Sequence, residues 1–183
     1  SSIPVSITNA TGIAAGPNIS LVLRADGSVF ARGLNNAGQA TVPGNLSDAV
    51  AIALGETHSV ALRRDGSWTG WGGNDRGQAK PHAAEAQYIA IAASNAPDFS
   101  PPTPAYQLLA LRANGTVEAW GDAGLQLTNV PAGLSNVVAI AAGRDQSLAL
   151  KSDGTVTRWG FGAATVPASA TNLVALAAGG THI

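Results

Sequence analysis

The stretch VVAIAAGRDQSLALKSDGTVTRWG (137–160) decides the fold. Val138, Ala139, Ile140 and Ala141 form an apolar run that stops at Gly143. Ser147, Leu148, Ala149 and Leu150 then alternate small and large side chains. Asp153-Gly154 is a tight-turn signal, because glycine takes a positive φ without steric cost. Thr155 to Trp159 runs back to Gly160, so the block reads as three short antiparallel strands.

Working outward, the same block recurs along the chain. Its hairpin glycines are Gly27, Gly66, Gly115 and Gly154, spaced by 39, 49 and 39 residues. The glycines that close the third strand, Gly33, Gly72, Gly121 and Gly160, keep the same spacings. The first-strand motif appears five times, as IAAG (13–16), IALG (52–55), IAAS (91–94), IAAG (140–143) and LAAG (176–179). Pro43, Pro81, Pro131 and Pro167 punctuate the linkers, where a residue without an N–H cannot extend a strand. Residues 1–183 therefore form one repeat domain, with units at about 7–46, 47–86, 87–134 and 135–171 and a partial unit at 172–183.

The rest of the sequence agrees with that organisation. No helical spacing of apolar residues persists, and turn signals come too often for helices. The chain is rich in glycine (22) and proline (10) and only 11% charged, as expected of many short strands and tight turns. Asp-Gly hairpins favour antiparallel blades over a parallel β-helix, whose strands need crossovers. The expected architecture is all-β: a β-propeller of antiparallel blades with three to four strands each, four blades plus one strand, as a partial ring or half of a closed one.

Composition also excludes function classes. The net charge is −1, without the basic stripe of a nucleic-acid binder. Lys80 and Lys151 are the only lysines, too few for a membrane-binding patch, and no apolar run is long enough to span a bilayer. With no cysteine there is neither a disulfide nor a thiolate metal site. No methionine occurs, even at position 1, which is expected of a chain processed, excised or engineered at its N-terminus.

With these residues in view, the pattern IAAG-x-x-x-SLAL-x-x-DGTV-x-x-WG-x-N-x-x-GQ resembles the regulator of chromosome condensation repeat. The short unit and the linker VPAGLSNV (130–137) are most similar to bacterial members, including β-lactamase inhibitory proteins built from such repeats. The resemblance implies a seven-bladed propeller, and four units fall short of that ring. Neither the basic surfaces of the nucleotide-exchange relatives nor the GWRHT string of the plant photoreceptors occurs here. Arg32 departs from the pattern by standing where Trp71, Trp120 and Trp159 stand.

An incomplete ring leaves unpaired sheet edges, which invite pairing with other chains. A segment of a longer propeller is the favoured expectation; closure by two chains with an overlapping strand, and a free arc, are the alternatives.

Candidate chemistry reduces to a few positions. Trp71, Trp120 and Trp159 recur in phase, as packing between blades requires, although such a row also suits sugar or peptide stacking. Trp68 is off-phase, standing where Val29, Val117 and Val156 stand, and is the better surface candidate. His58 and His182 share a phase, but Ile19 and Gln146 occupy the same place, so no metal ring is expected. Asp26, Asp65, Asn114 and Asp153 open tight turns and do not form catalytic pairs. The repeat does not require the insertion SNAPDFSPPTPAYQ (94–107), in which Asp98, Phe99 and Tyr106 offer a charge and rigid apolar area for binding.

The function expected is a non-enzymatic protein-binding scaffold, secreted or at the surface of a bacterial cell, recognising its partner through loops on one face. No cofactor, nucleic acid or membrane insertion is expected. The alternatives are a structural segment whose open edges pair with another copy or with the remainder of the same chain, and a carbohydrate-binding module.

Overall fold

The computed structural model describes residues 7–16, 18–80, 87–94, 106–123, 125–161, 166 and 172–178. Among the described residues, twelve strands form four separate three-stranded sheets. The first holds β1 (Ala10–Ala15), β2 (Ile19–Arg24) and β3 (Val29–Gly33); the second β4 (Ala49–Leu54), β5 (His58–Arg63) and β6 (Trp68–Gly72). The third holds β7 (Tyr88–Ala93), β8 (Gln107–Arg112) and β9 (Val117–Gly121); the fourth β10 (Val137–Ala142), β11 (Gln146–Lys151) and β12 (Val156–Gly160). All pairings are antiparallel between strands adjacent in sequence, so the expected all-β blades are present, each with three strands.

One register repeats in every blade. Gly27, Gly66, Gly115 and Gly154 turn the second strand into the third with φ of 82°, 82°, 78° and 78°. The residue before each accepts two bonds from the residue after: Asp65 Oδ1 takes the backbone N–H and the hydroxyl of Ser67 at 2.9 and 2.6 Å, and Asp153 Oδ1 takes those of Thr155 at the same distances. The first strand carries a bulge in each blade, between Ala10 and Gly12, Ala49 and Ala51, Tyr88 and Ala90, and Val137 and Ala139. The extra residue there is turned to solvent, which is why Val50, Ile89 and Val138 are exposed.

Blade packs on blade in series. In β5, Ala61 joins the apolar cluster shared with the first blade, while Val60 and Leu62 join the cluster shared with the third. In β8, Leu108 and Ala110 face back and Leu109 and Leu111 face forward. Both faces of these middle strands are covered, so their sequence is continuously apolar rather than half polar. The small residue on the backward face leaves room for the isoleucine of its own first strand: Ile52, Ile91 and Ile140 pack into the three seams. Linker side chains close the seams, Val42 and Leu46 the first and Val130 and Leu134 the third. Seam hydrogen bonds run from Ala49, Tyr88 and Val137 N–H to the oxygens of Gly27, Gly66 and Gly115 at 3.0, 2.9 and 3.1 Å.

The series continues for one bond past the fourth blade, since Leu173 N–H donates to Gly154 O at 3.3 Å. Residues 172–178, expected as the first strand of a fifth unit, nevertheless carry no strand. A strand exists through its ladder, and among the described residues no second strand lies beside them.

Candidate functional site

Three strands per blade fix which loops share a face. The chain rises in the first strand, returns in the second and rises in the third. The turn after the first strand and the tail after the third therefore lie at one end of every blade, and the Asp-Gly hairpin lies at the other. The bonds Leu34 N–H to Asn18 O, Gly73 N–H to Thr57 O and Asp122 N–H to Tyr106 O, at 2.7, 2.8 and 2.7 Å, tie each tail to its turn.

On this turn-and-tail face lie the two described ends of the 94–107 insertion, Ser94 and Tyr106, in the third blade. Tyr106, the last residue before β8, is half-buried. Burial raises the Tyr106 phenol above its ordinary pKa, and the charges of Glu56 and Asp75 add to the rise while Arg76 opposes it. Glu56, in the second blade's turn, is itself raised by burial. Arg76 in the second tail pairs with Asp122 in the third at 4.0 Å, so the two tails are linked across the seam. Tyr106, Glu56, Asp75, Arg76 and Asp122 thus gather where the second and third blades meet. Glu56, Asp75 and Arg76 stand at variable positions of the repeat pattern, which nothing in the sequence singled out.

The other candidate positions divide clearly. Asp98 and Phe99 lie outside the described residues, as does His182. Trp68 is not at the surface: it is 4% exposed and packs edge-on to Trp120, with centroids 5.5 Å apart. Trp120 also meets Tyr88 edge-on at 5.9 Å. Tyr88 stands where the second and fourth blades have Ala49 and Val137, so the two off-phase aromatics, Trp68 and Tyr88, fill one seam together. Tyr88 hydrogen-bonds Glu118, which also pairs with Arg112, closing the edge of that seam.

The in-phase tryptophans are buried seam anchors. Trp71 Nε1–H and Ser59 Oγ–H both donate to Gln39 O at 2.8 Å, from the second blade to the first blade's tail. Trp159 Nε1–H donates to Leu127 O at 2.8 Å, from the fourth blade to the third blade's tail. All four tryptophans are buried, so none is left as a platform for sugar stacking.

At the start of the middle strands, on the turn-and-tail side, stand the buried polar side chains His58, Gln107 and Gln146. Gln107 Nε2–H donates to Gly143 O at 3.0 Å and Gln107 Oε1 accepts from Ser147 Oγ at 2.8 Å, joining the third blade to the fourth. His58 holds the same phase in the second blade, fully buried, with neither ring nitrogen bonded. Burial lowers its pKa to about 4, so the ring is neutral near neutral pH. Among the described residues, no group of three or more histidine, aspartate or glutamate side chains is placed to hold a metal ion, and no helix is long and apolar enough to cross a membrane.

The description "Regulator of chromosome condensation (RCC1) repeat" matches residues 10–39 and 49–78. Among solved structures, Prp20p of Saccharomyces cerevisiae, described for its binding to Gsp1p and histones, is similar with a TM-score of 0.72 and 19% identity, over 87% of this chain and 47% of its own. The ectodomain of the Physcomitrella patens receptor kinase CR4 has a TM-score of 0.69 at 22% identity, over 93% of this chain and 45% of its own. The computationally designed Ika4 protein has a TM-score of 0.51 at 23% identity, over 88% of this chain and 96% of its own. At these identities the likeness establishes the propeller fold. The chain spans about half the length of the two natural proteins. No curated protein sequence matches it.

Proposed function

We propose that this chain, which carries matches to the RCC1 repeat at residues 10–39 and 49–78, is a non-enzymatic protein-binding scaffold whose recognition surface is the turn-and-tail face at the junction of the second and third blades. The observation that carries this reading is the position of Tyr106. It roots the one segment the repeat does not require beside Glu56, Asp75 and Arg76 of the neighbouring blade. A rigid aromatic among charges of both signs, on a scaffold of packed sheets, suits a preformed protein contact.

Support from the fold is of the same kind. Prp20p binds Gsp1p and histones, and yeast RCC1 has been seen bound to Kap60. Two further structural neighbours are receptor-kinase ectodomains, which agrees with a secreted or cell-surface protein. The short repeat is the ground for reading it as bacterial.

The test is site-specific photo-crosslinking. A photoreactive residue at Tyr106 or Glu56 is expected to capture a protein partner from cell-envelope or culture fractions, while one at Asp153, on the hairpin face, captures none. Equal capture from both faces, or capture only at Asp153, removes the assignment.

A second reading, pairing through an open sheet face, rests on a separate observation: Ile13 of the first blade is 79% exposed, whereas its counterparts pack into seams.

A further inference from the structure

The third blade departs from the others at its hairpin tip. The first, second and fourth hairpins present Asp26, Asp65 and Asp153 ahead of glycine, and the third presents Asn114 ahead of Gly115. All four side chains make the same bonds, each Oδ1 accepting the backbone N–H and the hydroxyl of the residue two places on. For Asn114 the donors are Thr116 N–H at 3.1 Å and Thr116 Oγ1–H at 2.7 Å. Of the chain's asparagines, only Asn114 precedes a glycine. It is exposed, and both of its hydrogen bonds are made through Oδ1, so Nδ2 is left to solvent.

That arrangement suits attack of the Gly115 backbone nitrogen on Asn114 Cγ. Glycine has no side chain to obstruct the approach, and Gly115 takes φ of 78°. The two donors on Oδ1 draw electron density from Cγ. They are aimed at the oxygen on which negative charge grows as the new bond forms, which is how an oxyanion hole acts. One bond opposes the attack: Gly115 N–H donates to Arg112 O at 3.0 Å and must let go as the nitrogen loses its proton. The hairpin tip faces solvent, so hydroxide reaches that proton without the blade unfolding.

We propose that Asn114 is a site of spontaneous deamidation, with water as the co-reactant. Gly115 N bonds to Asn114 Cγ, the Cγ–Nδ2 bond breaks, and ammonia leaves with the proton displaced from the glycine nitrogen, closing a succinimide ring. Water then opens the ring. Hydrolysis at Cγ gives aspartate with the main chain unchanged, and hydrolysis at the residue's carbonyl carbon gives isoaspartate, whose main chain runs through Cβ and Cγ. The fold distinguishes the two products. Aspartate is what the other three hairpins carry, where the hydroxyl bond first and the N–H bond second hold the carboxyl of Asp26, Asp65 and Asp153 below its ordinary pKa. Isoaspartate adds a main-chain carbon beside the third seam. There Gly115 O accepts Val137 N–H at 3.1 Å, and even a Cβ on Gly115 would meet Asn136 N at 3.2 Å, so the longer chain does not fit without breaking that contact. The reaction therefore completes the acidic series of hairpin tips or loosens the seam between the third and fourth blades, according to which ring bond water cuts. It is independent of what the Tyr106 face binds.

The folded chain, held in mildly alkaline buffer and sampled over time, is digested, and each asparagine-bearing peptide is sequenced by mass spectrometry. The mass gain of NH exchanged for O is expected at Asn114 before any other asparagine. Retention of the amide at Asn114 in the folded chain, or earlier loss at another asparagine, overturns the proposal. Thr116→Val removes one of the two donors on Oδ1 and keeps the shape of the side chain. With the β-sheet spectrum retained, it is expected to slow conversion several-fold, and an unchanged or faster rate overturns the part assigned to the hairpin's bonds. Asn114→Asp supplies the first product directly. Its carboxylate accepts the same two bonds with charge assistance, so it is expected to melt at or above the temperature of the parent, whereas the isoaspartate fraction separated from the aged chain melts below it. A lower melting temperature for Asn114→Asp, or an isoaspartate fraction as stable as the parent, overturns the distinction between the products.

Discussion

Trp71 donates its indole N–H to Gln39 O at 2.8 Å, across the seam between the first and second blades. Trp159 and Leu127 repeat the relationship at 2.8 Å across the third seam. The bond satisfies a buried carbonyl that the sheet ladder does not reach, and the indole supplies apolar area to the seam.

Trp71→Ala and Trp159→Ala therefore remove both packing and a bond, and each is expected to cost about 3–5 kcal/mol. Arg32→Ala, in the same phase on the exposed face of the first blade, is expected to stay within about 0.5 kcal/mol. Urea unfolding of the three variants checks the contrast. Equal losses would mean that the seam is not what the tryptophans stabilise.

Trp68→Ala is expected to destabilise as strongly as Trp71→Ala, about 3–5 kcal/mol, because Trp68 fills the second seam with Trp120 and Tyr88. Trp68→Val restores the residue of the other blades but leaves a void beside Tyr88, and an intermediate loss is expected. A surface role would predict almost no change in melting temperature for either.

His58 supplies a pH dependence. Its pKa is lowered by burial to about 4 in the folded chain, against 6.5 in the unfolded one. Between those values the unfolded chain binds a proton that the folded chain excludes, so stability rises with pH across the window and falls as pH drops from 6.5 towards 4. The loss amounts to roughly 3 kcal/mol at the acid end. His58→Gln, which installs the residue found at Gln107 and Gln146, is expected to flatten the profile in that window. Denaturant midpoints measured across it, with and without the substitution, decide the matter.

Glycine substitutions separate turn geometry from turn position. Gly66 has φ of 82°, and a Cβ there would meet Gln87 Cα at 3.1 Å; Gly44 has an ordinary φ and open space. Gly66→Ala is expected to cost more than about 1 kcal/mol, while Gly44→Ala is neutral or stabilising by up to about 1 kcal/mol. Thermal unfolding of the two variants reads the difference.

The blades were legible because a 39-residue period, lengthened to 49 where the 94–107 insertion falls, places every hairpin glycine and seam isoleucine by the same rule. Trp68 is buried rather than exposed because its off-phase ring has a partner in the next blade. Tyr88, off-phase in the neighbouring blade, was the compensating signal, and two departures in adjacent units mark a shared seam. The fifth strand was legible as a motif but not as a structure, since a ladder needs a partner that no motif supplies. At the proposed recognition face only Tyr106 was named in advance. Glu56 and Arg76 stand at variable positions of the repeat pattern and Asp122 in a tail that departs from it, and only the up-down-up path of three strands brings those loops to one end.

Amide hydrogen exchange along the whole chain tests most directly the claim that one small sheet is copied four times and packed in series. The slowest exchange is expected in 58–63, 107–112 and 146–151, the middle strands buried on both faces, with the fastest strand exchange in 10–15, whose outer face is open. Protection that ignores the repeat, or protection of 10–15 equal to that of 49–54, would contradict it.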